Sequence, residues 1–242
     1  FVSNVNYESK RWRDQLKAAG RLLYSWEGRE KLERLILEEK PDIAHLNNIY
    51  HQISPSILHS LKKFQIPTVM TLRDYKVVCA SYSLLHEGKI CEACAHQQYH
   101  QSFLKCCVKD SRAKSLLNTF EMYLHHKVLK LYDLVDIFIS PSSFLRNKVA
   151  EMGFPGKVVH ILNFTSLINH EPVFDYEEQS VVYFGRISKE KGVKTLIEAV
   201  KMIPHLTLKI IGDGPLKKEL EEKVKKENIF NIQFLGHKNG EE

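Results

Sequence analysis

Residues 181–215 constrain the fold more than any other part of this 242-residue chain. Val181-Val182-Tyr183-Phe184 is a run of β-branched and aromatic residues closed by Gly185, the mark of a buried strand. From Val193 the period changes. Val193, Leu196, Ile197 and Val200 fall at i, i+3, i+4 and i+7 and line one face of a helix over 193–202. Pro204 closes that helix, and a second buried strand runs over 206–211. Gly212-Asp213-Gly214-Pro215 then turns the chain into a further helix over 216–226, with Pro215 suited to its first position. Strand, polar loop, helix and strand make a βαβ crossover, which demands a parallel sheet.

In such sheets ligands bind beyond the carboxyl ends of the strands, and both polar loops lie there. The first loop offers two cations, Arg186 and Lys191, with the N–H groups that open a helix. The second offers Gly212 and Gly214, whose missing Cβ atoms let a ligand approach the backbone. Two helix N-termini and two cations suit a doubly charged anion such as a diphosphate. Taken by themselves, the same charges also fit a βαβ unit whose loop is simply solvated.

Two phrases go further than this pattern. Tyr183-Phe184-Gly185-Arg186-Ile187-Ser188-Lys189-Glu190-Lys191-Gly192-Val193 and Ile211-Gly212-Asp213-Gly214-Pro215-Leu216 occur together. Their residues and spacing resemble the group 1, family 4-like retaining glycosyltransferases of GT-B fold. The resemblance implies that Arg186 and Lys191 hold the diphosphate of a nucleotide-sugar. It also implies that Gly185, Gly192, Gly212, Asp213, Gly214 and Pro215 lie against this donor, a UDP- or GDP-sugar.

The rest of the chain continues the alternation of strands and helices. Helices are expected over 27–39, from Ser54-Pro55-Ser56 onward, over 115–132 and over 144–152, with strands over 42–46, 68–72, 135–139 and 158–162. The long helix 115–132 is expected to bury Leu117, Phe120, Leu124, Val128 and Leu131. Residues 163–180 carry no period and read as a linker. The fold class is therefore α/β, GT-B-like, with two Rossmann-like, doubly wound parallel-sheet domains, both incomplete. An acceptor-side domain covers 1–165, with a cysteine-rich insertion over 79–110. The linker is assigned to 166–180 and the nucleotide-sugar domain to 181–242. The chain reads as a fragment, since a glycine loop expected before it and a glutamate pair expected after it in the family are not in it.

Two stretches of the first half also resemble the family. Pro41-Asp42-Ile43-Ala44-His45-Leu46-Asn47-Asn48 stands where the family often has a histidine at the place of Asn47. Thr71-Leu72-Arg73-Asp74-Tyr75 stands where it has Thr-Leu-His-Asp-Tyr. The resemblance gives that histidine an acceptor-handling or catalytic role, so Arg73 and Asp74 join Arg186 and Lys191 as catalytic candidates. A guanidinium cannot take up a proton near neutral pH, yet it can stabilise a phosphate or a growing negative charge. The plain alternative is a surface cation paired with Asp74. His45 reads as an ordinary loop or core histidine, and Ser142 as a helix-start residue.

All five cysteines lie between Cys79 and Cys107. Cys91-Glu92-Ala93-Cys94 is a C-x-x-C, and Cys79, Cys91 and Cys94 with one of Cys106 or Cys107, taken as Cys107, supply a set of four thiolates for a structural zinc. The alternative is reduced thiols packed in a loop. A redox C-x-x-C is disfavoured, because no strand leads into a helix at that point.

Charge and composition narrow the partners. Thirty-five Lys and Arg against 29 Asp and Glu give a formal charge of +6, a mild excess that fits phosphate-bearing substrates or an anionic membrane surface. With no arginine-rich run and no nucleic-acid motif, nucleic acid is not an expected partner. The resemblance implies hexosyl transfer from a nucleotide-sugar to a glycan or lipid-linked acceptor, with retention, in polysaccharide or glycoconjugate synthesis. No cofactor is needed for the reaction. A cytoplasmic place is expected, with peripheral contact at the inner membrane face. The alternative is a nucleotide-sugar-binding protein without turnover, or a partner subunit of an active transferase.

Overall fold

The computed structural model describes residues 2–4, 6, 9, 11–164 and 179–238. The chain forms two compact units, 1–166 and 167–242.

The first unit opens with α1 (Trp12–Leu23) and α2 (Trp26–Glu39). Ser25 caps α2 by accepting from the Gly28 N–H. β1 (Ala44–Asn47) follows, then a 3₁₀ turn at Pro55–Ile57 that runs into α3 (Leu58–Lys63), then β2 (Thr68–Thr71). A small hairpin, β3 (Leu85–His86) and β4 (Lys89–Ile90), turns through Glu87 and Gly88, both at positive φ (50° and 77°) as a two-residue hairpin turn requires. α4 (His100–Leu104), α5 (Arg112–Tyr123), β5 (Ile137–Ser140), α6 (Ser143–Glu151) and β6 (Val158–His160) complete the unit. The main sheet has the order β1-β2-β5-β6, all parallel. Its core gathers Met70, Leu72 and Phe138 with Leu58, Leu61, Leu131 and Val149.

The helix expected over 115–132 differs in two ways. It passes at Leu124–Val128 into a π-helical turn. The buried residues of its two parts are Ser115, Thr119, Glu121, Met122 and His125, while Phe120 is 55% and Val128 70% exposed. The expected apolar face is thus wrong for these two residues. The reason is a polar partner on the other side, Lys76, described below.

The second unit contains β7 (Ser180–Phe184), α7 (Val193–Lys201), β8 (Thr207–Ile211), α8 (Lys217–Lys226) and β9 (Ile232–Gly236). Its sheet has the order β7-β8-β9, again all parallel. Leu208 and Ile210, alternate residues of β8, share a core with Ile197 of α7 and with Leu220 and Val224 of α8. Among the described residues β7 pairs on one side only, with β8, and Val182 and Phe184 are exposed where the sequence suggested a buried strand. Of the linker expected over 166–180, residues 166–178 lie outside the described residues, and Ser180 already belongs to β7.

Candidate functional site

At the carboxyl ends of β7 and β8 two loops lock together. Gly185 N donates to Ile211 O (2.9 Å), Ile187 N to Asp213 O (2.9 Å), and Leu216 N to Ile187 O (3.1 Å). Ile187 is fully buried beneath them and anchors the first loop in the core. A Cβ at Gly212 would stand 2.0 Å from Gly185 O, and one at Gly214 would stand 2.3 Å from Ile187 O. The two glycines therefore make room for the first loop. Pro215 lies in the turn before α8, which begins at Lys217 and not at the residue after Pro215.

This lock presents a cationic edge. Arg186 and Lys191 are both exposed, and the Arg186 carbonyl accepts a bond from Tyr183 Oη (2.9 Å). Gly192, at φ 69°, precedes the first turn of α7, which has no side-chain cap. Those N–H groups point out of the helix end, where an anion is favoured. Glu190 sits among these charges. A bond from Ser188 Oγ (2.6 Å) and its own backbone N–H lower its pKa, helped by Arg186 and Lys191. Asp213 is committed internally. Its Oδ1 accepts from Gly214 N (2.7 Å) and its Oδ2 pairs with Lys217 Nζ (3.2 Å), and these hold its carboxyl below the ordinary range.

In the first unit the carboxyl ends of β1 and β2 are in register, Asn47 beside Thr71. Arg73 follows two residues later, exposed, and its Nε donates to Asn47 Oδ1 (3.2 Å). The partner of Arg73 is thus Asn47, which corrects the alternative that set it against Asp74. Asp74 instead accepts from the backbone N–H of Lys76 (2.9 Å). Burial raises the Asp74 carboxyl, against that hydrogen bond and the Lys76 charge. His45 Nε2 lies 2.7 Å from Thr71 Oγ1, a satisfied strand residue. Ser142 caps α6 by accepting from Leu145 N (3.1 Å). Asn163 is exposed beyond β6.

Residues 10–167 match the family described as Glycosyltransferase Family 4, and residues 167–242 match Glycosyl transferases group 1. The chain belongs to glycosyltransferase family 4.

The curated relatives of this family 4 chain include an uncharacterized 42.6 kDa protein in the cps region of Klebsiella pneumoniae. It is 23% identical over 218 residues, covering 89% of this chain and 51% of that protein. The lipopolysaccharide core biosynthesis glycosyltransferase LpsD of Rhizobium meliloti is 33% identical over 100 residues, covering 39% of this chain and 29% of LpsD. The chain therefore spans about half the length of the first relative and less of the second. Among solved structures, a TarM variant of S. aureus superposes with a TM-score of 0.55 at 14% identity over 88% of this chain and 36% of TarM. HepE of Anabaena superposes with a TM-score of 0.53 at 15% identity over 91% of this chain and 53% of HepE. These likenesses give the fold, GT-B, of which the family 4 chain holds part of both halves. No helix among the described residues is long and apolar enough to cross a membrane.

Two further features of the family 4 chain lie behind its strand ends. Lys76, 1% exposed, places Nζ 2.6 Å from Oε2 of Glu121 on α5, which is fully buried. On the other side of that carboxylate stands His125 Nδ1, 3.1 Å from Oε1, at ion-pair distance but off the line of a good hydrogen bond. His125 Nε2 lies 2.7 Å from Leu23 O. Burial alone would raise the Glu121 carboxyl, but the Lys76 charge and the His125 contact outweigh it and hold it at about 2. This network ties the Asp74 loop to α5 and was missed from sequence. Its one signal was Lys76, a cation set directly before the apolar pair Val77-Val78.

The second feature is the cysteine segment. All five cysteines are free. Cys79, Cys91, Cys94 and Cys107 line one cavity of about 10 Å³, with Lys105 beside them, and Cys106 is not part of its wall. Burial pushes the Cys94 thiol up to about 12, and the neighbouring Cys79, Cys107 and Cys91 push in the same direction. Among the described residues no three Cys, His, Asp or Glu groups are already drawn in to hold a cation.

Proposed function

We propose that this chain belongs to an enzyme that transfers a hexosyl group from a nucleotide-sugar to a glycan or lipid-linked acceptor with retention of configuration. The observation that carries the reading is the pair of locked loops at the ends of β7 and β8, with Arg186, Lys191 and the uncapped start of α7 on their outer edge. The diphosphate is the leaving group. Its charge grows as the glycosidic bond breaks, so fixed cations and N–H groups stabilise the transition state more than the ground state.

A UDP-sugar is the donor we favour. Supporting it, HepE was solved with UDP and glucose, and the TarM variant with fondaparinux, alpha-GlcNAc-glycerol and UDP. LpsD and the cps-region relative support a place in surface polysaccharide synthesis. In this reading the departing phosphate takes the acceptor's proton, Arg73 serves as an electrostatic clamp, and the protein works in the cytoplasm, at the inner membrane face. The rival reading, nucleotide-sugar binding without turnover, draws on one observation. Arg73 and Asn47, both departures from the family's histidines, are bonded to each other.

Isothermal titration of the full-length protein with UDP-sugars tests the donor site. Arg186→Ala and Lys191→Ala each remove a charge-assisted contact of about 1.5–3 kcal/mol, an expected loss of roughly tenfold or more in affinity. Unchanged affinity and unchanged turnover in both variants would sink the assignment.

A further inference from the structure

The segment between Cys79 and Asp110 is costly to fold. Eight of its residues other than glycine sit at positive φ: Tyr82, Leu84, Glu87, His96, Gln97, Cys106, Lys109 and Asp110. Such conformations are unfavourable for most side chains and persist only when the surroundings over-determine them. The hydrophobic cluster specific to this segment contains only Ala80, Cys94, Tyr99 and Met122, with Tyr123 against it, while Cys79 and Leu84 reach the main core. So small a cluster leaves room for a further tie.

Four thiols line one cavity in this segment. Cys79 ends the loop that carries Asp74, with its N–H donating to Tyr75 O (2.8 Å). The β3–β4 hairpin returns the chain so that Cys91 N donates to Leu84 O (2.8 Å), and the C-x-x-C spacing then brings Cys94 into the same space. Cys107 arrives from the end of α4, with its N–H on Ser102 O (3.0 Å). The four line a single cavity of about 10 Å³, the size of one small ion or one water, and Lys105 adds a cation at its wall.

We propose that Cys79, Cys91, Cys94 and Cys107 bind one zinc ion as a closed four-thiolate structural site. Four sulfurs without an open position suit zinc, bound tetrahedrally with Zn–S bonds of about 2.3 Å. Binding forms four Zn–S bonds and releases the thiol protons to solvent, and Lys105 offsets part of the excess negative charge. The sulfurs close onto the ion as it binds, since they are not yet gathered around a point. The site fastens both ends of the hairpin segment to α4. It goes beyond the donor-site reading and does not depend on it.

The experiment is metal analysis of the full-length protein purified without chelator. One zinc per chain is expected, and cobalt in its place should give the intense thiolate-to-cobalt absorption of a tetrahedral site. Cys106→Ser should keep the metal and Cys94→Ser should lose it. Should Cys94→Ser fail to fold, chelator titration of the unchanged protein decides: zinc released in step with the exposure of four thiols supports the site. Metal-free protein with five reactive thiols overturns it. A disulfide among the four cysteines, or loss of zinc in Cys106→Ser while Cys107→Ser keeps it, does so equally.

Discussion

Replacing Glu121 by Gln should destabilise the first unit far more than an ordinary helix substitution. The change is nearly isosteric, so packing around Met122 and Ser115 stays as it is. What it removes is the charge opposite Lys76 Nζ at 2.6 Å, in a place where Lys76 is 1% and Glu121 0% exposed. A cation left buried without its partner costs about 3–5 kcal/mol. The carboxyl's own titration gives a similar size. Lowering it from its ordinary 4.5 to about 2 corresponds to roughly 3 kcal/mol of stability. Because the folded value is depressed, that stability is fully present above the ordinary carboxylate range and is lost as pH falls through about 2. For a unit of this size each kcal/mol moves the melting temperature by about 2–4 °C, so a drop of roughly 6–20 °C is expected. Urea unfolding at neutral pH measures the free energy directly, provided the slope is unchanged. The double variant Lys76→Met with Glu121→Leu should recover most of the loss, since replacing a whole buried pair by apolar residues is often close to neutral. A loss below about 1 kcal/mol for Glu121→Gln, the scale of a solvent-exposed pair, would refute this account of the network.

Two other outcomes follow from the site and its surroundings. Arg73→His, assayed as transfer rate in the full-length protein, should leave the rate unchanged or lower it, because in the proposed mechanism the clamp is lost while the departing phosphate still takes the proton. A large gain with unaltered donor affinity would overturn that view and favour the non-catalytic reading. His126 packs against Tyr99, Tyr132 and Phe154, and burial holds its imidazole down at about 3. The unfolded chain takes up that proton near pH 6.5, so the folded state loses about 1.4 kcal/mol per pH unit as pH falls from there toward 3. His126→Phe should remove this part of the acid loss, and equal acid slopes in the two proteins would count against it.

The second unit was legible because its elements announce themselves by period. Val193, Ile197, Val200, Leu220 and Val224 are apolar at helical spacing, and all five lie in the core. α5 was misread for the same reason. Phe120 of α5 and Val128 of the π-helical turn after it advertise a face that is exposed, while Glu121 and His125 are buried through pairing. A buried charge leaves no hydrophobic period, and its partner is 45 residues away in sequence. The hairpin β3–β4 went unread within the cysteine-rich insertion, because two-residue strands are too short to show alternation. The cysteines, by contrast, pointed to their cavity through spacing alone, though only the structure places Cys107 and not Cys106 in its wall.

Gly212 and Gly214 separate the recognition of a motif from its physics. The sequence placed them at the right strand end and gave them a role, close approach by a ligand. In the structure the close approach is made by the chain itself, Gly185 O and Ile187 O occupying the space that two Cβ atoms would need. A ligand at this edge therefore meets a unit of two loops already joined through the Ile187–Asp213 and Leu216–Ile187 hydrogen bonds. The groups of the proposed donor site, Arg186, Lys191 and the first turn of α7, stand on the outer side of that unit. The position of Arg186 is set by a residue on each side: Gly185, bonded to Ile211, and Ile187, sunk in the core. In the proposed donor site the packing of the loops thus fixes where the two cations stand. On that proposal, a change at either glycine should alter donor affinity by displacing them.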